Sequence, residues 1–343
     1  MLFILVLACG REPYYAETSP DTHSPETTQD TDTDTDTGPD TTQRVDVWDD
    51  PAWWLEPGPF APLLDLSNAP PGPHWEAWVS TSPDLKSWTK GAPFAYGFSS
   101  LDLLVVEQGI IVGGSLTPDE KLGIMAPFEH YFALHTQDLK TWGSHQFYIE
   151  NAAELMIIDP SIHETPDGGL QLVYYASSLD VDPEKLPDDY PNPHAIYMAP
   201  WDGEKFVQTD SEPLLQADYV VDPTGCYHDD QHYMLGTRRY GALYFSSRAA
   251  GDPSAEFQPV SKHQKWGGVQ VPYCFTQGDE PLFIAQYGGG YGPPQTLRLD
   301  ERGDMTPAEA LLDLKQVGYD GCTSPVLGYF DETYFLICVS WIE

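Results

Sequence analysis

Five segments of this chain repeat one pattern: a polar anchor, a short apolar strand, a turn and a second apolar strand. They start at Leu101-Asp102, Ile158-Asp159, Val221-Asp222, Gln270-Val271 and Thr323-Ser324, spaced 57, 63, 49 and 53 residues apart. Turn residues recur at nearly the same offset, as Gln108-Gly109, Asp167-Gly168, Asp229-Asp230, Gly278-Asp279 and Asp331-Glu332. Asp-Gly between two apolar runs is a strong hairpin signal. A long period built of hairpins is the signature of a radial or stacked array, and a two-sheet sandwich gives no reason for it.

Between the hairpins lies a second pair of strands. Three of them open on histidine, at His74, His130 and His194. Two run into nearly the same turn, Asp84-Leu85-Lys86-Ser87-Trp88 and Asp138-Leu139-Lys140-Thr141-Trp142, and a third has Asp202-Gly203-Glu204-Lys205-Phe206 there. The fourth copy is looser, around Leu243 and Phe257, and the fifth weaker still, around Thr296. The large aromatic is expected to plug the gap between neighbouring sheets. The predicted fold is therefore all-β: a five-bladed β-propeller with four antiparallel strands per blade. The order of parts adds a check. The chain opens with a second-pair unit and closes with a first-pair unit, so the two ends complete one blade and remove the open edge.

The first nine residues, Met1 to Cys9, are an apolar run ending Val6-Leu7-Ala8-Cys9. The run is too short to cross a bilayer as a helix and reads as a secretory signal. It resembles a bacterial lipobox, which makes Cys9 the lipidation site and the chain an exported lipoprotein of the outer membrane or cell surface. Residues 10–49 are rich in Thr, Asp, Glu, Pro and Ser. With nothing apolar to bury, such a segment is expected to be a disordered, charge-extended linker. The propeller is then expected over 50–343.

The net charge is −37. Residues 10–50 hold 12 acidic and 2 basic residues, so most of the excess belongs to the folded part. Such a field repels nucleic acid and anionic headgroups. Contact with a membrane is expected through the lipid anchor only, and the chain is expected to be a monomer. After Cys9 four cysteines remain. An exported chain permits two disulfides among them. Cys322 and Cys338 flank a predicted hairpin, and Cys226 and Cys274 sit at similar offsets in neighbouring repeats; four buried thiols are the other reading. No zinc-type Cys-x-x-Cys spacing exists.

In a propeller the first residues of the innermost strands face one mouth of the central channel. Asp102, Asp159, Asp222, Gln270-Val271 and Thr323-Ser324 should therefore converge, and converging carboxylates raise at least one pKa. A single Asp-Pro is ordinarily just a strand-entry turn. Two at one register of adjacent repeats favour a functional role.

Ile158-Asp159-Pro160-Ser161-Ile162, Val221-Asp222-Pro223-Thr224 and the Asp-Leu-Lys-[Ser/Thr]-Trp turns resemble the five-bladed glycoside hydrolases of the arabinanase, xylosidase and invertase type, family 43 and its relatives, over roughly residues 70–343. The resemblance implies an inverting glycosidase-like mechanism with a carbohydrate partner. It matches Asp159 to the general base and Asp222 to the aspartate that tunes the acid. The acid position falls on Gln270, where the family has glutamate. An amide cannot donate that proton, and general acid catalysis is worth roughly 10²–10⁴-fold. The sequence therefore points to a glycan-recognising propeller whose hydrolysis is in question; a propeller that binds protein partners is the alternative.

Further substrate-binding candidates are Asp102, His163, Trp266, Arg238 and Tyr273. Each has a bland counterpart in core packing or a strand-end ion pair. No metal ligand set and no cofactor is expected, with a calcium ion on the channel axis left open.

Overall fold

The computed structural model describes residues 46–343 apart from Ser99 and the stretches 116–129, 153–154, 179–194, 209–212, 216–219, 239–241, 253, 261–268, 278–279, 288–291 and 300–304. The described chain forms five small sheets. Blade one is β3 (Asp102–Val106), β4 (Gly109–Gly114), β5 (His130–Thr136) and β6 (Gly143–Glu150). Blade two is β7 (Leu155–Glu164), β8 (Leu170–Ser178) and β9 (Ala195–Pro200). Blade three is β11 (Val220–His228), β12 (Gln231–Arg238), β13 (Ala242–Ala249) and β14 (Gln258–Pro259). Blade four is β15 (Val269–Gln277), β16 (Glu280–Tyr287), β17 (Pro294–Leu299) and β18 (Met305–Ala310). Blade five joins the ends of the chain: β19 (Thr323–Phe330) and β20 (Thr333–Ile342) pair with β1 (His74–Ser82) and β2 (Ala92–Tyr96).

The ring closes. Each first strand packs on the next, in the order β3, β7, β11, β15, β19 and back to β3. β1 and β20 pair without interruption from His74↔Ile342 to Ser82↔Tyr334, which ties the two ends of the fold together. The hydrophobic core is divided among the gaps between blades. Leu103, Ile110, Val326 and Phe335 fill the gap between blades five and one. Cys226, Phe245, Phe283 and Leu297 fill the one between three and four. The blade-turn aromatics sit in these gaps as the sequence implied. Trp88 donates to Leu311 O of the preceding blade at 3.0 Å, and Trp142 stacks on Phe94 of the preceding blade at 4.0 Å.

The aspartate of each such turn caps it. Asp84 Oδ1 accepts from the amides of Lys86 and Ser87, and Asp138 Oδ1 from those of Lys140 and Thr141, at 2.7–2.9 Å. These bonds let Leu85 and Leu139 hold left-handed φ values of 61° and 60°; in the third turn Gly203 takes the positive φ instead.

One blade departs from the expected four strands. Among the described residues blade two has three, and β10 (Phe206–Val207) pairs in parallel with β6 of blade one. The cause is Phe206, whose ring is fully buried against Phe147 and Trp201 in the gap between blades one and two. An isolated bridge between Ile196 and Leu215 stands where the outer strand would run.

The described residues ahead of the expected boundary at 50 also pack on the propeller. Trp48 stacks on Trp201 at 5.2 Å, Trp54 donates to Trp48 O, and Trp53 lies on His135 at 4.3 Å. This segment lines the outer side of blade one. Ser144 Oγ fastens it by donating to Pro57 O and accepting from Phe60 N.

Both disulfides are formed. Cys226–Cys274 joins β11 to β15 across two blades, and Cys322–Cys338 joins the entry of β19 to β20 within blade five.

Candidate functional site

Four of the five innermost strands carry the same local distortion. Asp159, Asp222, Val271 and Ser324 have φ of 47°, 50°, 46° and 50°, and each precedes a proline. At each, the ladder with the second strand slips by a residue, between Ile158 and Ser161, Val221 and Thr224, Gln270 and Tyr273, and Thr323 and Val326. These are β-bulges, which bend a strand and re-aim one side chain. A residue before proline is driven out of the right-handed helical region, and Asp tolerates the left-handed one better than most residues. For the β-branched Val271 that conformation is strained. Blade one has no proline at this register, and β3 pairs regularly from Asp102.

The bulges turn the aspartates toward one end of the channel. Asp102, Asp159, Asp222, Val271 and Tyr273 line a small recess there. The carboxyls of Asp159 and Asp222 are neighbours in the recess, and Asp222 is held well above the ordinary carboxylate range. Burial is the main cause, followed by the nearby carboxyl of Asp159; the Thr237 hydroxyl and the Val271 amide act the other way. Both causes disfavour the charged form of Asp222.

Asp102 has a different role from its two neighbours. It is buried, and its oxygens accept from Ser161 Oγ at 3.2 Å and Ile162 N at 2.5 Å. Ser161 Oγ also lies 3.1 Å from Thr224 Oγ1. Asp102, Ser161 and Thr224 thus form a hydrogen-bonded layer across blades one, two and three, and this layer is the floor of the recess.

Sequence reasoning missed the partners of the bulges. Ser115 Oγ accepts from Asp159 N at 2.8 Å and donates to Asp159 Oδ1 at 3.2 Å. Thr237 Oγ1 accepts from Val271 N at 3.0 Å. Ser115 and Thr237 both stand at the end of the second strand of one blade and hold the bulge of the next. Six residues after the second strand begins, these two blades carry a hydroxyl where the others carry Ala176, Gln286 and Val339, so no repeated signal marked the position.

The remaining candidates fall elsewhere. His163 does not line the aspartate recess; as the strand continues past its bulge, it delivers His163 to a separate cavity at the hairpin end of the channel. Tyr273 lines both spaces, and burial and the nearby Asp102 push its hydroxyl pKa up. Gln270 pairs with Gln286 in the β15–β16 ladder, and Arg238 with Val220 and Ala242 in blade three; of both, the backbone alone is described. Cys9, His194 and Trp266 lie outside the described residues. Among the described residues no group of three His, Cys, Asp or Glu side chains is placed to hold a metal ion.

No protein-family model matches the sequence, and no curated protein matches it. Solved structures do match in shape. A thermostable family-43 glycoside hydrolase superposes with a TM-score of 0.50 at 11% identity, covering 71% of this chain and 88% of the other. The chain has the fold of the family 43 glycoside hydrolases. A second member of that family, from Bacillus licheniformis, gives a TM-score of 0.50 at 14% identity over 77% of this chain and 54% of its own. An exo-β-1,3-galactanase from Phanerochaete chrysosporium matches at 14% identity with a TM-score of 0.49, and the chain spans 64% of its length. At these identities the likeness is one of fold.

Proposed function

We propose that this protein is a glycosidase-like propeller that recognises a neutral glycan at the aspartate recess, exported and held at a bacterial surface through a lipidated Cys9. The observation that carries the reading is the Asp159–Asp222 carboxyl pair, set by matching bulges in adjacent blades beside one recess, with Asp222 raised above the ordinary carboxyl range. Neighbouring carboxyls offer hydrogen-bonding groups to sugar hydroxyls. The fold supplies an analogy and no more. Two disulfides agree with an oxidising compartment and hence with export.

Recognition is favoured over hydrolysis because the family's acid position is matched by Gln270, whose amide has no proton to give.

Titration calorimetry with arabino- and xylo-oligosaccharides, alongside turnover of aryl arabinosides and xylosides, tests this reading. Saturable binding that weakens at least tenfold in Asp159→Ala, with negligible wild-type turnover, is the expected result. Gln270→Glu should raise aryl-glycoside turnover by about 10²-fold or more if position 270 is the acid site. Absence of saturable binding to any glycan would overturn the proposal.

A further inference from the structure

A cavity much larger than the aspartate recess opens at the other end of the channel, where the innermost hairpins turn, with a volume of about 1050 Å³. The two spaces are stacked along the channel and meet at Thr224 and Tyr273, which line both. The Asp102–Ser161–Thr224 layer lies between them.

The wall of this cavity contains a buried polar group with no partner. His163 is 7% exposed, and neither of its ring nitrogens is hydrogen-bonded within the protein. The neighbouring strand makes room for it. A Cβ added to Gly225 would lie 2.7 Å from His163 Cε1, so only glycine there leaves the ring its place. Burial pushes the imidazole down to about 4, so at neutral pH it presents one N–H and one lone pair. Leaving such atoms unpaired is costly, and native structures seldom carry that cost without a use for it. Nearby, Tyr227 donates to Gln171 Oε1 at 3.1 Å, and both line the same wall.

Charge narrows the class of ligand. The rim carries exposed Glu164, Asp167, Asp229 and Asp230, which disfavour an anion. Inside, the buried Arg248 guanidinium lies over Phe257 at 4.7 Å and disfavours a cation. What suits the interior is a neutral molecule rich in hydroxyls, with Phe275 and Tyr329 supplying apolar surface. Sites of this size hold ligands larger than a single sugar ring.

We infer that the hairpin-end cavity is a second binding site, distinct from the aspartate recess, for a short neutral oligosaccharide, with His163 as its buried hydrogen-bonding residue. The inference does not depend on the function proposed for the recess.

Calorimetry on the full chain with maltotriose, xylotriose, arabinotriose and β-1,3-galactotriose, one at a time, tests it. At least one should bind saturably. That binding should weaken tenfold or more in His163→Phe, and likewise in Gly225→Ala, which displaces the ring. In Asp159→Ala the same sugar should still move the imidazole signals of His163, whatever is lost at the recess. The imidazole ¹⁵N signals of His163 should shift on titration with the same sugar. If Gly225→Ala fails to fold, His163→Phe and the ¹⁵N shifts still decide. The inference is overturned if none of the four binds, or if binding survives His163→Phe. It is equally overturned if ZnCl₂, and no sugar, moves the His163 signals, since the site would then be a metal site.

Discussion

Asp222 holds its proton because its carboxyl is buried beside another carboxyl, and both causes act in the same direction. Only the second can be removed by changing a neighbour. In Asp159→Asn the adjacent negative charge is gone, so the carboxyl of Asp222 should titrate at lower pH than the wild-type pair, while remaining above an exposed aspartate because burial persists. Side-chain ¹³C NMR titration measures this directly. An unchanged midpoint would mean that the two groups are not coupled. In the wild type the two midpoints belong to the pair rather than to either residue. The convergence of these aspartates was legible in the sequence from their shared offset before proline. The inward-facing hydroxyls of Ser115 and Thr237 were not, because a lone Ser or Thr at a strand end is too common to single out.

Four of the five first strands bulge at a pre-proline residue, and in two places the second strand of one blade fastens the bulge of the next. Asp159, Asp222, Val271 and Ser324 share the conformation although their side chains share no chemistry, so the backbone device precedes any function built on it. The repeat was readable because apolar runs, turn residues and Asp-Pro pairs recur together. The exit of β10 toward blade one was not, since it turns on where a single phenylalanine, Phe206, finds its pocket. The disulfides act at this scale too. Cys226–Cys274 spans 48 residues and couples two elements that share no ladder, whereas Cys322–Cys338 spans 16 inside one blade. Loop-closure entropy gives roughly 4 kcal/mol for the first and roughly 3 kcal/mol for the second. Urea denaturation of Cys226→Ala/Cys274→Ala and Cys322→Ala/Cys338→Ala should therefore show the inter-blade pair costing more. The reverse order would mean that strain or residual structure outweighs loop length.

Taken whole, the molecule buries several neutral imidazoles, and this sets its response to acid. Burial pushes His135 and His163 down to about 4 and His232 to about 2. In the unfolded chain each titrates near 6.5. Below that pH the unfolded state takes up protons the native state refuses. The stability these residues supply is thus complete above about pH 6.5 and is lost as the pH falls toward 4, by about 1.4 kcal/mol per pH unit for each. Asp222 works in the opposite sense, since its raised pKa favours the native state at low pH and that contribution fades as pH rises past the ordinary carboxyl value. Three histidines outweigh one aspartate, so the urea midpoint should fall between pH 6.5 and 4.5. The slope should be shallower in His135→Leu whatever that variant's absolute stability. A midpoint flat across this range would count against buried neutral histidines. Trp201 donates to Asp46 and Gln108 to Asp49. Gln108 is a hairpin-tip residue, and Trp201 borders the larger cavity. The first described residues are therefore fastened to the hairpin face, at the end of the channel away from the paired aspartates.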